Sequence, residues 1–160
     1  SIAASRKIFN IPNANIKNSM KKMRLKGRLE EIKSGRLKNL IGKNRLIIDG
    51  GHNINSAISI SKWVKQQNEK VHLICGMMND KPHIEFIGQF ENSVNSITLV
   101  DIPNQDGSIS KEEFKKKLGK KNIHTAESIE ESLLMNNKDK NCIFLCAGSL
   151  YLAGEVLNLN

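Results

Sequence analysis

The sequence predicts an α/β domain: a mostly parallel sheet of about five to six strands with helices on both faces. Two observations carry that expectation. Compact apolar runs of buried-strand type recur at 45–49, 71–75, 96–100 and 142–146, with a short one near 122–124. Segments with helical apolar spacing lie between them, at 53–67, 81–90, 110–118, 127–136 and 149–157. Strands that alternate with helices are joined by right-handed crossovers, so the carboxyl ends of all the strands gather on one rim. That rim collects Asp49–His52, Gly76–Lys81, Asp101–Gly107 and Ala147–Ser149.

In chain order, residues 1–9 pattern as a helix with no capping residue before them, which predicts a chain that begins inside a helix. Pro12 and Asn13 restart a short helix to about Met23, followed by a basic stretch from Lys21 to Arg28 that reads as a solvated linker. Arg28–Ile32 is an expected edge strand. In 53–67, Ile54, Ala57, Ile58 and Val64 share a helical face, with Trp63 adding bulk; in 127–136, Ile129, Leu133 and Leu134 do. Neither an internal repeat nor a low-complexity segment is present.

Composition bounds the function. The chain has 160 residues, 39% hydrophobic and only 4% aromatic, so the core of one domain must be built from Ile, Leu, Val and Met. Lys and Arg number 25 against 16 Asp and Glu, a formal charge of +9. The lysines are dispersed and the basic segments lack aromatics to stack bases, which argues against nucleic acid. No apolar run approaches a membrane span, so no membrane partner is expected. Cys75, Cys142 and Cys146 are odd in number and form no CxxC pair, which predicts buried, reduced thiols in a cytoplasmic protein.

The chemistry concentrates on the rim. Leu46-Ile47-Ile48-Asp49-Gly50-Gly51-His52-Asn53 reads as a strand, a tight turn and a helix start, and ligands in open α/β sheets bind at such strand ends. Asp49 is a candidate for a ribose hydroxyl or for capping the turn, His52 for a base or a phosphate, and Asn53 for the helix cap. Asp80 is expected to cap the helix that holds Pro82, and Lys81 is within reach of an anion across the rim. Ser149 is an expected N-cap, and without GxSxG it is no nucleophile elbow. The stretch 101–114 copies half of a calcium loop, but position one falls on Ile102, where calcium needs an acidic oxygen. A GxxxxGK[ST] phosphate loop is absent.

Together these residues resemble a known family. Asp49-x-x-His52-Asn53 after an apolar strand is similar to the DxAHN signature of the Mur ligase superfamily C-terminal domain. The folylpolyglutamate synthase/dihydrofolate synthase branch matches further. Gly27-Arg28-Leu29-Glu30 resembles its linker, Gly76-x-x-x-Asp80-Lys81 its second rim motif, and Gly148-Ser149-Leu150-Tyr151-Leu152-Ala153-Gly154-Glu155-Val156 its C-terminal GSLYLxGEV.

The resemblance implies a Rossmann-like three-layer domain over 27–160, preceded in 1–26 by the end of a central ATPase domain and a linker. It implies an enzyme that uses ATP and Mg²⁺ to phosphorylate a folate or dihydropteroate carboxylate, whose acyl phosphate then takes the amine of glutamate. Its partners would be ATP, glutamate, the folate substrate and the protein's own N-terminal P-loop domain, which would also hold the metal; the protein would be a monomer. By residue match, Arg28 is the catalytic candidate that reaches ATP phosphates, and Asp49, His52, Asn53 and Ser149 are nucleotide-binding candidates. This chain alone would be inactive. Four departures stand out: Leu25-Lys26 in place of Trp-Pro, Gly51 in place of alanine, Asn53-Ile54 in place of Asn-Pro, and no Pro-Arg in 101–109. Another Mur-type amino-acid ligase and a non-catalytic Rossmann-like nucleotide-binding module are the alternatives.

Overall fold

The computed structural model describes residues 26–120 and 122–160, with residues 12 and 15 besides. The helices expected at 1–9 and 13–23 lie outside the described residues, residue 15 excepted. Among the described residues there are six strands: β1 Glu30–Ile32, β2 Arg45–Asp49, β3 Lys70–Cys75, β4 Ser96–Leu99, β5 Ile123–Thr125 and β6 Cys142–Ala147. Six helices are described: α1 Arg36–Leu40, α2 Ile54–Val64, α3 His83–Gly88, α4 Lys111–Leu118, α5 Ile129–Met135 and α6 Leu150–Leu159. The strands form one sheet in the order β1-β2-β6-β3-β4-β5. Only β1 is antiparallel, pairing Glu31 with Ile47; the other pairings are parallel.

The central strands are apolar along their whole length because both sheet faces are covered. Alternate side chains enter two separate cores. Ile47, Val71, Leu73, Ile143 and Leu145 pack with Ala57, Ile60 and Val64 of α2, Phe86 and Ile87 of α3, and Phe114 of α4. Leu46, Ile48, Ile74, Phe144 and Cys146 pack with Leu37 of α1, Ile129 and Leu133 of α5, and Leu152, Ala153 and Val156 of α6. All three cysteines are free and buried, and burial pushes the Cys146 thiol up to about 12.

This arrangement locates the site. The helix after β2 covers one face and the helix after β6 the other, although β2 and β6 are neighbours in the sheet. The chain therefore diverges at their carboxyl ends, and the crevice of an open α/β sheet lies at such a switch point. Gly51 and Gly148 meet there, the Gly148 N–H donating to the Gly51 carbonyl over 3.0 Å. Gly148 has φ 119°, and a Cβ would lie 2.8 Å from the Gly76 carbonyl oxygen, so only glycine lets the ends of β6 and β3 close up.

Three expectations need correction. Helix α1 was not foreseen: it has five residues, a glycine N-cap without a side-chain hydrogen bond, and one buried residue, Leu37. Ile54 and Leu134 point outward, and Ile60 takes the core position in α2. Asp80 does not cap α3, whose N-cap is Pro82; its carboxylate pairs with Lys81 Nζ at 2.6 Å.

Candidate functional site

Asp49 ends β2 with its backbone still in the sheet, beside Ala147 of β6. Its side chain is turned back into the protein and is buried. Oδ1 accepts the Gly51 N–H at 2.7 Å and Oδ2 accepts the Leu29 N–H at 2.9 Å. The third donor is the Arg28 guanidinium, whose Nη1 lies 3.4 Å from Oδ1. The Gly50 N–H in turn donates to the Gly27 carbonyl at 2.8 Å. The segment before β1 is thereby laid across the end of β2, which puts Arg28 on the rim although 21 residues separate it from Asp49.

Arg28 differs from its partner in exposure. Its side chain is 47% exposed, against 6% for that of Asp49. Among the described residues the guanidinium has that one contact, near the long limit for a hydrogen bond. The remaining N–H groups of its planar fork point to no protein acceptor among them, and such a fork suits a phosphate or carboxylate.

His52 is half-buried, and its Nδ1 lies 2.9 Å from the Gly50 carbonyl. That contact orients the ring. Asp80 of the neighbouring loop is held below the usual carboxylate range chiefly by the Lys81 ammonium, with a smaller contribution from His52. Asn53 is the N-cap of α2: its Oδ1 accepts the Ser56 N–H at 2.9 Å, and Ser56 Oγ accepts the Asn53 N–H at 3.0 Å, a reciprocal capping box. Ser149 is buried and caps α6, its Oγ accepting the Tyr151 N–H at 3.1 Å. Leu150 and Tyr151 beside it are exposed. Arg28, Asp49, His52, Asn53 and Ser149 thus share the switch point; Arg28 and His52 present chemistry outward, while the Asp49 carboxylate, the Asn53 Oδ1 and the Ser149 hydroxyl are used by the fold.

The chain matches the family model for the Mur ligase glutamate ligase domain over residues 27–150. It belongs to that family. A curated relative, the dihydrofolate synthase/folylpolyglutamate synthase of Buchnera aphidicola, is 25% identical over 149 residues, which is 90% of this chain and 33% of that protein. Among solved structures, the folylpolyglutamate synthase of Mycobacterium tuberculosis complexed with ADP and AMPPCP superposes with TM-score 0.74 at 15% identity, over 93% of this chain and 35% of that one. The bifunctional folylpolyglutamate synthase/dihydrofolate synthase of Yersinia pestis complexed with AMPPNP and Mn gives TM-score 0.73 at 16% identity, over 92% of this chain and 34% of that one. These structures share the fold. The chain spans about a third of the length of the relatives it matches.

Sequence reasoning missed a second anchor on the Mur ligase rim. Asp101, just past β4, accepts the Lys111 backbone N–H at 2.7 Å and its ammonium at 3.0 Å. Lys111 Nζ also meets Glu127 at 3.1 Å and Glu112 at 3.3 Å. Those carboxylates, Asp101 first, hold the ammonium well above the usual lysine range. The staple closes the loop 101–110, which is sewn to the next one by Asn79 N–H to the Gly107 carbonyl and Ile109 N–H to the Met77 carbonyl. The only available signal was the strand-end aspartate, because a lysine ten residues on carries no local pattern. Among the described residues, no group of three or more His, Cys, Asp or Glu is placed to hold a metal ion, and no helix is long and apolar enough to cross a membrane.

Proposed function

We propose that this chain is the C-terminal domain of an ATP-dependent carboxylate–amine ligase of the folylpolyglutamate synthase/dihydrofolate synthase type. Residues 27–160 form the ligase C-terminal domain, and 1–26 are the linker and the end of a central ATPase domain. The observation that carries this reading is the exposed Arg28 guanidinium at the sheet's switch point, with one long contact among the described residues, in a chain of the Mur ligase glutamate ligase family. The relatives crystallised with ADP, AMPPCP and AMPPNP support a nucleotide as the ligand.

The donor set fits a nucleotide's phosphate end. Arg28 offers a planar fork to phosphate oxygens, and His52, oriented through Nδ1, offers its other nitrogen and its ring face. Asn53 and Ser149 keep the starts of α2 and α6 in place at the rim. ATP, when bound, supplies a phosphoryl group to the folate or dihydropteroate carboxylate; the amine of glutamate then displaces phosphate and an amide forms. In this scheme Arg28 neutralises charge that develops on the transferring phosphoryl group, as an arginine from outside a P-loop domain can. The described residues do not fit a metal ion, so Mg²⁺ is assigned to the proposed P-loop domain. The reading also carries a cytoplasmic, monomeric enzyme.

The test is ATP-dependent incorporation of glutamate into folate or dihydropteroate by the proposed parent protein, run beside the 160-residue chain. Activity of the parent and none in the chain alone is expected. A parent that ligates another amino acid to another carboxylate would move the chain to a different Mur-type ligase.

A further inference from the structure

At the amino-terminal end of the sheet, opposite the rim that carries Arg28, stand three side chains that the ligase chemistry does not use. His72 of β3 lies beside Ser96 of β4 in the parallel register. The Ser96 hydroxyl is 2.8 Å from His72 Nδ1, and His72 Nε2 is 3.1 Å from Oδ2 of Asp139, in the turn before β6. An ionised carboxylate can only accept, so the Nε2–H donates to Asp139. Nδ1 then carries the lone pair, and the Ser96 hydroxyl donates to it. Asp139 is held below the usual carboxylate range chiefly by the Lys70 ammonium, 3.0 Å from its other oxygen. The imidazole is buried beside Phe144, with ring centroids 5.6 Å apart. Burial and Lys70 lower its pKa and Asp139 raises it, with a net fall, so the ring is neutral at pH 7. The other titratable group here is Cys142, whose Sγ lies 3.6 Å from the Asp139 carbonyl oxygen.

A neutral imidazole, fixed in one tautomer by a carboxylate and bonded to a hydroxyl, is the arrangement that activates a serine. Ser96 also lines a cavity of about 480 Å³ together with Val94, Ile97 and Ile123. Asn95, the preceding residue, lines it too. Its Oδ1 accepts the Val71 N–H at 2.9 Å, which fixes the amide, and its NH₂ group has no acceptor among the described residues.

We propose that Ser96, His72 and Asp139 form a separate hydrolytic site that acts on short-chain carboxylic esters. Ser96 Oγ bonds to the ester carbonyl carbon while its proton passes to His72 Nδ1. The Asn95 NH₂ group donates to the oxyanion that forms. The carbon–oxygen bond to the alcohol then breaks, and the alcohol leaves with the proton from His72. Water repeats the same step on the acyl-serine, which releases the carboxylic acid and restores the hydroxyl. Val94, Ile97 and Ile123 give the acyl chain an apolar wall, and the size of the cavity keeps that chain short. Asp139 is a positioning residue: it fixes the tautomer and stabilises the imidazolium. The site does not depend on the ligase reading.

The test treats the 160-residue chain with p-nitrophenyl acetate and, separately, with an alkyl fluorophosphonate. Nitrophenol release is followed, and the modified residue is mapped by mass spectrometry. The fluorophosphonate is expected on Ser96, and Ser96→Ala should lose both the adduct and the release. His72→Gln and Asp139→Asn should each slow release by about 100-fold. In the unaltered chain the rate should be level above the ordinary histidine value of 6.5 and fall below it, as His72 takes up a proton. Because the Asp139 charge raises the His72 pKa, Asp139→Asn should move that midpoint to lower pH, which loss of packing alone would not do. An unaltered chain with no label on Ser96, or with acetylation confined to lysines, would overturn the proposal. So would labelling of Ser96 at an unchanged rate in Asp139→Asn. That comparison stands even if His72→Gln fails to fold by circular dichroism, because the Asp139 carboxylate is partly exposed.

Discussion

The rim of this domain carries two ion-pair anchors of opposite design. At the end of β2 the carboxylate is buried and the cation exposed: the side chain of Asp49 is 6% exposed and that of Arg28 47%. Beyond β4 the cation is buried and the carboxylates exposed: the side chain of Lys111 is 8% exposed, while those of Asp101, Glu112 and Glu127 are open. Both aspartates bind a backbone N–H across the rim, so both hold a loop in place. The ammonium of Lys111 is shared by three carboxylates and has no reason to leave. The guanidinium of Arg28 has one long contact and four N–H groups without an acceptor among the described residues. Exposure of the cation, not the presence of an ion pair, separates a group available to a ligand from a staple.

Four changes test this contrast, the largest effect first. Arg28→Ala in the proposed parent enzyme should lower kcat by about 10³-fold, the lower end for a phosphoryl-transfer arginine, with the fold unchanged by circular dichroism. Lys111→Met leaves Asp101, Glu112 and Glu127 facing one another; it should cost about 1–3 kcal/mol of unfolding free energy in denaturant while ATP affinity changes less than twofold. Asn53→Ala removes the acceptor of the α2 capping box and should cost about 1 kcal/mol, by the same measurement.

The smallest effect is expected at the opposite end of the sheet, where the buried His72 joins Ser96 at 2.8 Å and Asp139 at 3.1 Å. Burial, aided by Lys70 and opposed by Asp139, lowers the His72 pKa below its ordinary 6.5. The unfolded chain then takes up a proton before the folded one does. This contribution to stability is whole above 6.5 and is lost as pH falls through that value towards the lower folded pKa. Burial also lowers His83, which acts in the same direction. Tm should fall between pH 7 and pH 5, and the slope should be shallower in His72→Gln.

The strands 45–49, 71–75, 96–100 and 142–146 were legible because a strand covered on both faces is apolar throughout. The caps were legible for a different reason: Asn53 and Ser149 sit one residue before helices, where their short polar side chains bond the free N–H groups. Helix α1 escaped because five residues after a glycine carry no periodicity. The outward turn of Ile54 and Leu134 escaped because spacing cannot say which side of an apolar stripe the core prefers. Asp80 precedes the helix without capping it because Pro82, two residues on, takes the cap position. In the candidate site, the strand end marked Asp49 and His52, but neither the left-handed backbone of Leu29, at φ 42°, nor the use of the Asp49 oxygens has a sequence signature. Both depend on the bonds that Leu29 and Arg28 make to Asp49, 20 and 21 residues along the chain.

The most direct test of the division between the two anchors is an NMR titration of this chain with ATP, following the Arg28 Nε–Hε signal and the backbone amides of Gly50–Asn53, Ser149, Asp101 and Lys111. The account predicts shifts at Arg28, Gly50–Asn53 and Ser149, with Asp101 and Lys111 unmoved. Shifts centred on Asp101 and Lys111, or an Arg28 signal that never moves while ATP binds, would contradict it.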